Sequence, residues 1–338
     1  MGKKKMTIIF LSVVLGILLN IYVFYHFHIQ IPGAAESSSV FAVIINILLC
    51  LVIDGLIVAC IVNSAKLAEI PREVLKNRRL VMSLSKNDFK TKFAGSYLGI
   101  IWAFIQPVIT VLVYWFVFQF GLRNTPVYSK EGIEVPFVLW LIAGLVPWFF
   151  FSEALNSGTN ALIEYNYLVK KVVFKISILP VVKVIAALFV HFAFLAFTIF
   201  LYAMYGFTPD LYTLQTLYYT LCMIVLILGI CYATCSIVVF FRDLTQIISI
   251  ILQVGVWMTP IMWNIDSMEG KISPVIIMLL KLNPMYYVVS GYRNAFISKI
   301  WFWEQMPQTI YFWCVAAACF VLGTIIFNRL KVHFADVL

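Results

Sequence analysis

The chain has 338 residues, 63% of them hydrophobic and 12% charged, and its mean hydropathy is +0.99. Soluble domains run at roughly 45–50% apolar and about 25% charged, so a water-soluble globule is excluded and the bilayer must solvate most of the surface. The formal charge of +9 does not point to nucleic acid, because the basic residues sit between the apolar runs.

Lipid offers no hydrogen bonds to a backbone, so spanning segments are helices or a closed barrel. Long apolar runs without period-two alternation select helices, and the expected fold is an all-α polytopic membrane protein. Eight spans fit, in chain order Thr7–Phe27, Val40–Val62, Ser96–Phe120, Pro136–Leu155, Leu179–Met204, Leu214–Val238, Leu244–Trp263 and Ile310–Phe327. The first follows Lys3–Lys5 and resembles a signal peptide, but its apolar run exceeds the ~7–15 residues of such peptides, so an uncleaved span is expected. An even number of spans puts both termini on one face. That face then carries the basic residues of the N-terminus, of the stretch from Lys66 to Lys92, of Lys170, Lys171 and Lys175, and of Arg242, Arg329 and Lys331. The other face has only Arg123, Lys130, Lys271, Lys281, Arg293 and Lys299, a positive-inside bias that makes both termini cytosolic.

After the second span, which carries the carboxylate Asp54, Ile70, Val74, Val81 and Leu84 recur near helical spacing, with Arg72, Lys76 and Arg79 elsewhere on the wheel. Pro71 marks a helix start, and an amphipathic helix over Ile70–Ser85 is expected, either on the lipid headgroups or as a cytosolic linker. Lys86–Phe93 then forms an elbow into the third span. That span carries Trp102, Gln106, Thr110 and Tyr114 four residues apart, and the seventh carries Gln246, Ser249, Gln253 and Trp257 on one face, with Pro260 following. Polar side chains in a membrane face protein or water. Glutamine and serine beside tryptophan suit sugar hydroxyls and pyranose faces. Two roles fit both stripes and Trp148 of the fourth span: lining a substrate pathway, or bonding helix to helix.

Between the fourth and fifth spans, the cytosolic stretch 156–175 sets apolar Leu162, Ile163 and Leu168 beside Asn160, Tyr165, Asn166, Lys170 and Lys171. A solvated connector needs no such apolar residues. A short helix seated in a partner's groove does, and so does one lying on the membrane. On the outer face, 264–303 holds two apolar pieces too short to span, interrupted at Pro274 and Asn283-Pro284, which read as re-entrant or interfacial. Tyr286, Tyr287, Tyr292, Trp301 and Trp303 suit the headgroup level there.

No catalytic constellation is present. The four histidines are scattered, and HExxH, GxSxG and a P-loop are absent. The seven cysteines lie in apolar runs and read as small hydrophobes, and no metal site is expected.

Four motifs in order, Asp88-Phe89-Lys90 with Leu98-Gly99, Trp102 and Pro107, then Ala143–Phe150, then Asn160–Phe174 ending at Leu179-Pro180, then Arg242-Asp243-Leu244 through Thr259-Pro260 and Asn283-Pro284 to Tyr292-Arg293, resemble the membrane-spanning permeases of ATP-driven polysaccharide and teichoic acid exporters of the ABC-2 type. The resemblance covers the chain from about Ile70. It implies a six-span core (residues 96–338) with an interface helix and elbow (68–95) and re-entrant external helices, to which residues 1–67 add two spans. It also implies a homodimer in a bacterial cytoplasmic membrane, moving an undecaprenyl-linked glycan or wall teichoic acid among membrane lipids. Two copies of a separate P-loop ATPase would bind the ATP and Mg, and this chain would be no enzyme and need no cofactor. Asn160, Leu162, Ile163, Tyr165, Asn166, Leu168, Lys170 and Lys171 would be the coupling element. The chain departs from the pattern in its two N-terminal spans and in Lys175, where such permeases often carry proline. The rival readings are an ABC-2 exporter of a lipid or drug, a membrane-embedded glycosyl- or acyltransferase, and a secondary transporter. The second lacks a clustered acid/base pair, and the third lacks a carboxylate relay.

Overall fold

The structure, a computed structural model, describes residues 57–337 apart from 93–95, 122–126, 129–133, 171–174, 266–267 and 269–270, together with residues 16, 51 and 53–55. The expected span Thr7–Phe27 apart from Gly16, most of Val40–Val62, Phe93 and Lys171 lie outside the described residues.

Two helices, α1 (Ser64–Lys76) and α2 (Arg78–Lys92), replace the expected helix over Ile70–Ser85. Pro71 lies inside α1 rather than at its start. The break falls at Asn77, whose backbone N–H and side-chain amide both donate to the Glu73 carbonyl, satisfying a helix-end acceptor. The expected elbow is also displaced, because Lys86–Lys92 continues α2. The chain turns instead ahead of Gly99, whose φ of +53° is cheap only for glycine.

Helix α3 (Trp102–Phe116) follows a 3-10 turn at Gly99–Ile101 and ends in a π turn at Val117–Gly121. A hairpin of strands β1 (Val127–Tyr128) and β2 (Glu134–Val135), paired Val127 with Val135, leads to α4 (Phe137–Thr159). Helix α4 is apolar on every face along its first four turns and most of its residues are buried, as expected of a helix with neighbours on every side. Those neighbours are α3, α7 (Leu179–Met204), α8 (Gln215–Val238), α9 (Leu244–Met258) and α11 (Pro284–Arg293). Two single-turn helices, α5 (Ala161–Glu164) and α6 (Asn166–Val169), link α4 to α7. Helix α10 (Pro274–Lys281) precedes α11, and α12 (Met306–Leu330) and α13 (Phe334–Val337) close the chain.

Helices α8 and α12 meet backbone to backbone. A Cβ built on Gly323 would fall 2.1 Å from the Gly229 carbonyl oxygen, and one on Gly229 would fall 2.7 Å from the Phe320 nitrogen. Small residues at such a crossing let dispersion contacts and close approach replace the missing hydrophobic drive in lipid.

Among the described residues, four helical stretches, Phe137–Thr159, Ile176–Met204, Leu211–Val238 and Phe302–His333, are long and apolar enough to cross a bilayer, and α10 with the helix continuing from α11 makes a fifth candidate bent by 78°. The third and seventh expected spans are shorter than anticipated: α3 and α9 have 15 residues each, a rise of about 22 Å against ~30 Å of hydrocarbon. Helix α9 stops because Pro260 pushes Thr259 into an extended conformation (φ −88°, ψ 121°). The irregular stretch that follows, Thr259–Met262, is buried in protein, which makes it tolerable at membrane depth.

Candidate functional site

A buried polar cluster joins three elements at the N-terminal end of α7. The Lys183 ammonium lies 2.5 Å from Asp88 Oδ1 of α2 and 2.5 Å from Glu164 Oε2 of α5. Its side chain is 6% exposed. The Tyr165 hydroxyl donates to Asp88 Oδ1 at 2.8 Å, and the ammonium sits 5.0 Å from the Tyr165 ring centroid. Burial foremost, then the Asp88 hydrogen bond and charge, push the Tyr165 phenol well above its ordinary pKa, so it remains a donor. A buried cation is tolerable only when paired, and here two carboxylates and a ring face share it. Ser85 adds a second tie, its hydroxyl donating to the Val182 carbonyl at 3.1 Å. Nearby, Glu73 holds Lys175 at 3.2 Å and accepts from the Ser177 hydroxyl, fixing α1 to the start of α7.

The segment α5–α6 is therefore anchored from within. Leu162, Tyr165 and Val169 are buried, Asn160, Ile163 and Leu168 are half-buried, and Glu164, Asn166, Tyr167 and Lys170 are exposed. Leu162 and Tyr165 thus point into the bundle rather than outward. Asn160 reaches the other way: its Oδ1 accepts from the Thr245 hydroxyl of α9 at 2.9 Å. One short segment is bonded both to the α2–α7 pair and to α9.

From the Lys183 cluster, a cavity of about 290 Å³ between α2, α4, α5 and α7 adjoins one of about 230 Å³ between α3, α4 and α7, the two sharing Lys92 and Glu153. Lys92 pairs with Glu153, which also accepts from the Ser157 hydroxyl at 2.8 Å. This pairing removes Glu153 from any carboxylate relay. Trp102, Gln106 and Thr110 line the inner cavity with His191. The stripe expected on the third span thus lines a groove of mixed polar and apolar character, except for Tyr114, which is half-buried against the core. The Thr110 hydroxyl donates to the Gln106 carbonyl within its own helix at 2.9 Å.

The second stripe lies elsewhere. Gln246, Gln253 and Trp257 are exposed on the face of α9, beside exposed Ile250 and Val254, while Ser249 is half-buried and donates to the Thr245 carbonyl at 3.0 Å. Neither cavity includes a residue of α9. Trp148 is buried and lines neither cavity. Its ring lies where Gly255 of α9 lacks a side chain, 2.9 Å from the position of a Cβ there.

The irregular stretch after α9 is pinned by residues far along the chain. Asn283 caps α11, accepting from Met285 N at 3.0 Å, and donates to the Thr259 hydroxyl at 2.7 Å. Arg293 donates to the carbonyls of Pro260 and Ile261, both at 2.7 Å, and its guanidinium lies 3.4 Å from the Trp140 ring centroid. Gly144 makes room for it, since a Cβ there would sit 3.0 Å from Arg293 Nη2. Arg293 is thus an interior residue, not a loop cation. Tyr287 and Tyr292, expected at the headgroups, are also interior: Tyr287 shares a hydrogen bond with Thr309 (2.9 Å), and Tyr292 with Thr220 (2.8 Å) and His191 Nε2 (3.0 Å). Sequence reasoning missed the roles of His191, Arg293 and Lys183. The signal open to it was the cost of a polar group at membrane depth, since their partners are distant in the chain.

The ABC-2 type transporter family model matches residues 79–297. An O-antigen export system permease protein, RfbA, of Myxococcus xanthus is 27% identical over 269 residues, which covers 78% of this chain and 97% of that protein. Proteins of the same name from Klebsiella pneumoniae are 26% identical over 263 residues and 24% identical over 261 residues, each covering 77% of this chain and 95% of the relative.

Proposed function

This chain belongs to the ABC-2 type transporter family, and from that premise we propose that it is the transmembrane permease subunit of an exporter that moves a lipid-linked cell-surface polysaccharide across the bacterial cytoplasmic membrane. The observation that carries this reading is the match along 95–97% of relatives whose name is O-antigen export system permease. Those names favour the polysaccharide over wall teichoic acid or a simple lipid. In this reading two copies of the chain pair, two copies of a separate ATPase bind ATP and Mg below them, and both termini are cytosolic. The lipid carrier is undecaprenyl.

The geometry supports a route from ATPase to pathway. A partner pressing on the exposed face of α5–α6 (Glu164, Asn166, Tyr167, Lys170) displaces a segment bonded on one side to Lys183 and Asp88 and on the other to Thr245. The first tie leads through α2 to the groove lined by Trp102, Gln106 and Thr110. The second leads to the exposed stripe Gln246, Ser249, Gln253 and Trp257. Neither single-chain cavity, at about 290 and 230 Å³, holds a polymer. A pathway shared between two copies removes that limit. Weak stacking and hydroxyl contacts suit a polymer that must slide, because each is exchanged cheaply.

The test is capture of the tagged chain from its native membrane. Recovery of a P-loop ATPase in equal amount is the expected result. Recovery of the chain alone, in gentle detergent with ATP analogues present, contradicts the subunit assignment.

A further inference from the structure

At the opposite end of α7 from Lys183, a cavity of about 440 Å³ opens between the C-terminus of that helix with the turn after it, Glu134 and Pro136 at strand β2, and the turn following α11. The rise from Lys183 to Tyr202 along the one helix is about 28 Å, close to the ~30 Å hydrocarbon thickness. The cavity and the coupling segment therefore belong to opposite membrane surfaces, and on the topology proposed above the cavity is external.

Its floor is aromatic and fixed. The Tyr202 ring stacks on Phe296 at 4.6 Å, meets Phe207 edge-on at 6.0 Å, and is held by a hydrogen bond from its hydroxyl to the Leu139 carbonyl at 2.8 Å. Its wall carries a fixed pair of opposite charges. Asp210 Oδ1 accepts from Thr213 N at 3.2 Å in a capping box, which leaves Oδ2 to hold the Lys299 ammonium at 3.1 Å. Both side chains stay reachable, at 31% and 44% exposure. Lys299 has φ 52° and ψ 50°, a left-handed conformation that glycine or asparagine adopts at less cost, so a lysine is held here despite its backbone. Half-exposed Tyr205 stands at the rim.

A carboxylate that accepts, an ammonium that donates and the accessible Tyr205 ring above the buried aromatic floor match the needs of adjacent hydroxyls and the apolar face of a pyranose ring. Glu134 lines the same cavity, so among the described lining residues carboxylates outnumber the cation, which opposes phosphate and acidic sugars. The volume falls in the ~300–1,000 Å³ range of small-ligand sites and takes a short stretch of chain, not a polymer. We propose that this cavity is an external subsite for neutral or amino-bearing sugar units of the exported glycan. Its identification as part of an export route rests on the function proposed above.

The test uses the full permease–ATPase complex in lipid nanodiscs. The probe is a set of oligosaccharides released by mild acid from the surface polysaccharide of the cells that make this chain. Saturation-transfer NMR titrations are run on the wild type, Tyr205→Ala and Lys299→Asn. Asparagine tolerates the left-handed backbone, and Tyr205 is at the surface, so both variants are expected to melt as the wild type does. Each is expected to weaken binding about tenfold. Equal affinity in all three, or no binding by a wild-type complex that transports glycan in proteoliposomes, overturns the proposal. If binding depends on both residues but the complex transports nothing, the site stands and the export function falls. A wild-type complex that neither binds nor transports overturns both.

Discussion

At the residue scale, Lys183 is the pivot. It is buried, two carboxylates from different elements neutralise it, and a phenol hydrogen-bonded to one of them lies beneath it. Removing one partner of a buried pair costs roughly 3–5 kcal/mol, whereas removing both costs far less. Glu164 is 52% exposed and screened by water, so Asp88 carries most of the compensation. Asp88→Asn is expected to cost about 3 kcal/mol, at the lower end because Glu164 remains. Adding Lys183→Met should recover part of that loss, a coupling of about 1–3 kcal/mol. Thermal melting of the single and double variants in detergent checks it, and strict additivity contradicts the pairing. The sequence alone marks Lys183 as an ion inside a span and Asp88 as part of a motif, but the pairing spans 95 positions and no local periodicity reveals it. The same holds for Arg293, which reads as a loop cation until the carbonyls freed by Pro260 are known to need donors.

At the element scale, the long apolar helices are legible because hydropathy dictates them. The breaks are legible where proline or glycine causes them, as at Thr259-Pro260 and Asn283-Pro284. Pro71 misleads in the opposite direction: it sits within α1, while Asn77 makes the break. The α8–α12 crossing depends on two glycines, and one substitution isolates it. Gly323→Ala forces a methyl group against the Gly229 carbonyl and is expected to destabilise by about 1–3 kcal/mol, the usual cost of overpacking. Gly121→Ala, with nothing within 4 Å of the new Cβ, is expected to leave the melting midpoint unchanged. Equal effects at the two positions would show that the helices do not touch there. The two polar stripes teach a related lesson. Periodicity shows that Trp102, Gln106 and Thr110 share one face and Gln246, Gln253 and Trp257 another, but not whether those faces meet. In one chain the first lines a groove and the second lies exposed on α9.

At the scale of the whole molecule, the architecture has a central buried helix, α4, with the groove-lining α3 and the exposed α9 both packed against it. The α5–α6 segment, proposed above as the coupling element, is bonded to the α2–α7 pair and to α9. At the far end of α7, a cavity with sugar-binding chemistry ends the same helix that carries Lys183. In the proposed export cycle, ATP turnover in a partner is converted into movement of a glycan. Its most direct test is reconstitution of the permease–ATPase complex in proteoliposomes with radiolabelled undecaprenyl-linked glycan and, separately, a fluorescent phospholipid. ATP-dependent transfer of the glycan is the expected result, sharply reduced by Glu164→Gln with Lys170→Ala while the complex still assembles. ATP hydrolysis without glycan transfer, or transfer of the phospholipid alone, would contradict it.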